Sequence, residues 1–160
     1  MALRKPLVIN AGQVQQLQAG DILDAPIIEQ EVTQLTNGEA ASIVIGAPVY
    51  IFSENTVKKA KADAGATSNP IGLVRDASID ASAEGAVLTS GILTATTGEW
   101  DAVAGTTGGL TPNAVYYLDP ADGGKITATA PSAAGQYVVK VGVAISATEL
   151  KLDVEPSVLL

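Results

Sequence analysis

Carboxylates are the catalytic candidates in this sequence. The 160 residues include no cysteine and no histidine. Their absence removes zinc sites of the usual His/Cys kind, Ser–His and Cys–His nucleophile pairs, imidazole catalysis and disulfides. Three acidic groupings remain: Asp119 with Asp122 in one turn, Glu99 with Asp101 around Trp100, and Asp76, Asp80 and Glu84 on a connecting segment. A glycosidase holds two carboxylates at a defined separation in a cleft, usually beside aromatic rings. Aromatics are only 4% of this chain, so a floor for a sugar ring is poorly supplied. Asp119-Pro120-Ala121-Asp122-Gly123-Gly124 lacks the alternating oxygen ligands and closing glutamate of an EF-hand, and Asp and Gly are what β-turns use. Gly105-Thr106-Thr107-Gly108-Gly109 has no following Lys-Ser/Thr, so it fails as a phosphate cradle. The expectation is a chain without catalytic residues, metal or cofactor: not an enzyme.

Trp100 is the only tryptophan. It has two readings: a plug closing one end of a β core from a loop, or a subunit-interface anchor, a role in which tryptophan is enriched. Its acidic flanks place it near the surface. The C-terminal Val158-Leu159-Leu160 is more apolar than a free tail requires, so it is expected as a last edge strand or as a contact with a neighbouring subunit.

Charge narrows the partners. The formal net charge is -8 and the isoelectric point about 4.3, which argues against nucleic acid and anionic membrane surfaces. Arg4 and Lys5 are the only basic residues before Lys58. They form either a contact for an acidic partner or a solvated terminus. Hydrophobic residues reach 47% against 16% charged, and mean hydropathy is +0.29. No apolar run approaches the ~18 residues of a membrane span. Pro6 separates the basic pair from a short apolar run, which is not a signal-peptide pattern. The surplus apolar surface is expected to sit against a partner or another copy of the chain.

The elements that must carry these residues read as short strands. Gly108-Gly109-Leu110-Thr111-Pro112-Asn113 is a turn, Val115 to Leu118 a half-buried strand, and Asp122-Gly123-Gly124 a tight turn into a second strand from Lys125 to Thr129. Similar spacing runs through Ile43–Ile45, Val49–Phe52, Ile71–Val74, Ala86–Thr94 (with an irregularity at Gly91), Tyr137–Ile145 and Leu150–Val154. Residues 1–24 read as an extended arm and 25–160 as an all-β domain, a small sandwich or barrel with two potential layers at 25–95 and 105–160. Glu54 to Ala64 fits either a helix capped by Asn55 or a strand over Lys59–Asp63. A weak internal repeat favours the strand. Val49-Tyr50 matches Val115-Tyr116, Lys59 matches Lys125, and Ile71-Gly72-Leu73-Val74 matches Val141-Gly142-Val143-Ala144.

Gly109-Leu110-Thr111-Pro112, Tyr116-Tyr117-Leu118, Gly124-Lys125-Ile126-Thr127, Ala130-Pro131, Gly135-Gln136 and Val141-Gly142-Val143-Ala144 together resemble a module of tailed-bacteriophage virion proteins. That module occurs in capsid decoration (cement) proteins and in some tail-fibre proteins. Gly46-Ala47-Pro48-Val49-Tyr50 and Ile71-Gly72-Leu73-Val74 are similar to the first β layer of decoration domains, and Lys5 to Asp21 to a recurrent virion N-terminal segment. The resemblance covers most of the chain through turn and strand signatures. It implies a β-rich decoration domain, commonly a homotrimer, on the outer capsid surface, with its arm against the major capsid protein. On that basis Arg4, Lys5, Leu7, Val8 and Ile9 are the expected capsid contacts, and Trp100, Leu159 and Leu160 the expected subunit contacts. A tail-fibre or baseplate attachment module is the alternative.

Overall fold

The computed structural model describes residues 30–160 in full and, before them, the backbone of two strands, β1 (Leu7–Asn10) and β2 (Gln13–Gln16). These pair antiparallel, Leu7 opposite Gln16 and Asn10 opposite Gln13. Leu7, Val8 and Ile9 of the expected arm therefore belong to a hairpin strand. Arg4 and Lys5 lie outside the described residues.

From Glu31 onward the chain builds two five-stranded sheets in succession. The first uses β3 (Glu31–Asn37), β5 (Pro48–Ser53), β6 (Thr56–Lys59), β7 (Gly72–Val74) and β9 (Glu84–Ser90), with β4 (Ile43–Val44) and β8 (Ser78–Ile79) forming a small side ribbon. Its order is β3-β6-β5-β7-β9, and it closes into a barrel. Every pairing in it is antiparallel except the closing one, β3 against β6, where Thr36 faces Thr56 and Asn37 faces Val57. Closure removes the open edges that a small sheet would otherwise present.

Gly91, at φ 115°, carries the chain from β9 straight into the second sheet. That sheet contains β10 (Ile92–Thr94), β11 (Val115–Leu118), β12 (Ile126–Thr127), β14 (Lys140–Ala144) and β15 (Glu149–Leu152). Helix α1 (Thr97–Ala104) lies between β10 and β11 in sequence. β13 (Tyr137–Val138) and β16 (Val158–Leu159) pair separately. The second sheet runs β10-β15-β14-β11-β12, antiparallel throughout and unclosed. Taken from the other end, β12-β11-β14-β15-β10 repeats the barrel order β6-β5-β7-β9-β3.

The internal repeat is thus real as topology, and one glycine pair shows it at residue level. A Cβ on Gly72 would collide with the carbonyl of Leu88 on the adjacent β9, and one on Gly142 with the carbonyl of Lys151 on the adjacent β15. Neither glycine needs a positive φ; both are there because a neighbouring backbone passes too close for a side chain. Hairpin register does not follow the sequence match. Val49 faces Lys59 in the first hairpin, whereas in the second Tyr117 faces Thr127 and Lys125 lies before β12. The segment 54–64 also differs from both of its readings. Asn55, at φ 53°, turns the hairpin, so the strand starts at Thr56 and ends at Lys59.

Alternation along two strands divides the core. Val74 and Val87 point into the barrel with Leu35, Ile43, Val49, Val57 and Ile79. Their neighbours Leu73 and Leu88 point outward and join Trp100, Tyr116, Leu118, Val141 and Leu150 in a second cluster shared by both sheets. The expected all-β class holds, with one short helix added.

Candidate interaction surface

The acidic residues singled out in the sequence are scattered, and most hold backbone. Asp119 Oδ1 accepts the amides of Ala121 (2.6 Å) and Asp122 (3.0 Å) across its turn. Asp76 Oδ2 accepts the Ala86 amide at 2.8 Å, and Asp80 Oδ1 the Ser42 hydroxyl at 2.9 Å. Glu84 is exposed at the start of β9. Asp119, Asp122 and Lys125 line a cleft of about 140 Å³ beside the C-terminus of α1. There the Lys125 ammonium donates to the Ala102 carbonyl, supplying a cation where the helix dipole is negative. Among the described residues no three acidic groups are gathered so as to hold a metal ion.

Glu99 and Asp101 build the helix that sequence reading treated as a loop. Thr96 Oγ1 accepts the Glu99 amide while Glu99 Oε2 accepts the Thr96 amide at 2.7 Å, a reciprocal capping box. The Thr96 amide and hydroxyl hold the Glu99 carboxyl below its ordinary range. The signal was present as Thr-x-x-Glu at 96–99. At the other end, Gly105 caps α1 at φ 62°. The loop beyond it then folds back, and Gly108 and Gly109 point their amides at Asp101, at 3.0 and 2.7 Å. The Thr106 hydroxyl adds a third donor at 3.0 Å. The Gly109 amide, with Gly108 and Thr106, depresses the Asp101 pKa. The glycine-rich stretch is an anion cradle after all, and the anion is the chain's own carboxylate.

Trp100 is the clearest correction. Of its two readings, the subunit contact near the surface gives way to the core plug, because the side chain is 0% exposed. Its indole Nε1–H donates to the Thr148 carbonyl at 3.0 Å. A Cβ on Gly46, at φ 79°, would stand 3.0 Å from the ring. Trp100 therefore plugs the joint between barrel and second sheet from its own helix. The acidic flanks point away from it because one caps the helix and the other fills the cradle.

Among the described residues, the exposed large apolar side chains lie mostly toward the C-terminus. Val158 (59%), Leu159 (58%) and Leu160 (45%) are all exposed. β16 pairs with β13 on one side, Val158 opposite Val138 and Leu159 opposite Tyr137. The strand is fixed to the body rather than trailing: the Leu160 amide donates to Gln136 O at 3.0 Å and Ser157 Oγ to Asn69 Oδ1 at 3.1 Å. Just upstream, Lys140 bridges Asp153 (2.6 Å) and Glu155 (2.7 Å), and Asp153 first, then Glu155, raises its pKa above the usual lysine range. Ile51 and Phe52 on β5 are also exposed, and the Lys58 ammonium lies 3.8 Å over the Phe52 ring. A second uncovered feature is a mainly apolar groove of about 360 Å³ between Val44, Ile45 and Ala77 at the β4–β8 ribbon and Gly98, Glu99 and Ala102 of α1 with its N-cap Thr96.

No protein-family model matches the chain, and no curated protein matches it.

Proposed function

We propose that this chain is a structural virion protein that binds the outer surface of a tailed-phage capsid and stabilises it by bridging major capsid protein subunits. The observation that carries the reading is the exposed run Val158-Leu159-Leu160, held as an ordered strand on a doubly sheeted β body. Apolar side chains fixed in place on a rigid surface suit a lasting contact, because little ordering entropy remains to be lost on binding. The virion-protein resemblance of the turn and strand signatures gives that contact its setting. In this reading the chain forms a homotrimer, with Leu159 and Leu160 at subunit contacts and the segment carrying Arg4, Lys5, Leu7, Val8 and Ile9 on the capsid. Several weak contacts per trimer suffice, since each after the first is intramolecular.

The test is co-sedimentation of purified protein with heads lacking it. Binding that disappears when residues 1–12, which include β1, are removed, with the urea midpoint of the remaining domain unchanged, supports the proposal. Binding to tails but not heads moves the protein to the fibre or baseplate role. Unimpaired head binding by the truncated chain overturns the assignment of the N-terminal contact.

A further inference from the structure

Asn37 closes the barrel and is followed by Gly38, the residue that least hinders attack of a backbone nitrogen on an asparagine side chain. Asn37 is 1% exposed. Its Nδ2 donates to Ala41 O at 2.9 Å and Ile79 O at 2.8 Å, and its Oδ1 accepts the Glu39 amide at 2.7 Å. Its main-chain amide donates to Ala83 O, and its carbonyl accepts the Ser82 amide. The would-be nucleophile is occupied as well: the Gly38 amide donates to Val57 O at 2.9 Å. That bond belongs to the parallel β3–β6 seam, where Asn37 faces Val57. Gly38 is also wedged, since a Cβ there would stand 2.7 Å from Thr56 Cγ2.

We propose that Asn37–Gly38 is a latent self-modification site, sealed by the closed barrel and activated when the β3–β6 seam opens. Once the seam is open, the Gly38 nitrogen bonds to Asn37 Cγ, the Cγ–Nδ2 bond breaks, and ammonia leaves with the amide proton. Water then opens the cyclic imide at either carbonyl, leaving aspartate or isoaspartate at position 37. Either product hinders reclosure. Aspartate replaces two donated hydrogen bonds by a buried carboxylate facing the carbonyls of Ala41 and Ile79. Isoaspartate lengthens the backbone at the residue that sets the seam's register. Opening is thereby recorded covalently and made one-way.

The experiment follows conversion at residue 37 by peptide mass spectrometry in mildly alkaline buffer across a urea series, with the Tm of Asn37→Asp measured alongside. The rate should track the population of opened barrel. Conversion in buffer is expected to be at least about tenfold slower than in urea above the transition, rising along the unfolding curve. Asn37→Asp is expected to melt lower than the wild type or fail to fold. Equal conversion rates in buffer and in urea would overturn the sealing, and an unchanged Tm for Asn37→Asp would overturn the one-way step.

Discussion

Replacing Trp100 by alanine separates a core role from an interface role. The indole is fully buried, hydrogen-bonded to Thr148 O, and backed by the main chain of Gly46, which has no side chain able to move into the space. A buried tryptophan truncated in a site that cannot collapse costs about 3–5 kcal/mol, and the upper half of that range applies here. A single-domain protein has only about 5–15 kcal/mol in total, so the variant should sit close to unfolding. At roughly 2–4 °C per kcal/mol for a chain of this size, Tm should fall by about 8–20 °C. Trp100→Phe keeps most of the ring but loses the bond to Thr148 O, which still accepts the Ala95 amide, and should lose about 0.5–1.5 kcal/mol from that bond. Urea unfolding followed by far-ultraviolet circular dichroism is the assay, because the substitution removes the chain's only fluorescent tryptophan. A Trp100→Ala chain with wild-type stability but altered subunit association would refute the core reading and restore the interface one.

The matched glycines give a paired test: Gly72→Ala and Gly142→Ala should each cost about 1–3 kcal/mol or more from the same backbone collision, measured as a lowered urea midpoint, while Gly98→Ala, whose Cβ would meet nothing, should be neutral or better. Asp101 is held below its ordinary pKa in the folded chain, so its contribution is complete above the unfolded carboxylate pKa and is lost as pH falls through the lower folded value. Asp101→Asn should therefore lower Tm at neutral pH and flatten the decline of Tm on acidification; a variant with the wild-type acid slope would show that the Gly108–Gly109 cradle stabilises nothing. Leu159→Ser with Leu160→Ser should leave Tm nearly unchanged, because both side chains are exposed, yet shift sedimentation toward the monomer.

Strand positions were legible because turn residues and short β-branched runs are local signals, and Gly91 marked the change of sheet. The repeat was legible where one glycine serves the same close approach twice, and misleading where hairpin register depends on turn geometry instead of residue identity. Barrel closure was not legible: a parallel pairing of β3 with β6 involves only Thr36, Asn37, Thr56 and Val57 and leaves no periodic trace. α1 was missed although its capping box is written at Thr96 and Glu99, since glycine and aspartate around Trp100 weaken the helical pattern. Burial of Trp100 was legible only as one of two readings, because acidic neighbours indicate solvent only when they are not themselves engaged with backbone amides. The C-terminal leucines were legible as a local apolar run, Val158-Leu159-Leu160, and the structure leaves them exposed on an edge strand.

The central claim is a location, and immunogold labelling of intact phage particles with antibody to this chain tests it most directly. The account predicts label spread over the head. Label confined to the tail, or absent from particles that also lack the chain by mass spectrometry, would contradict it.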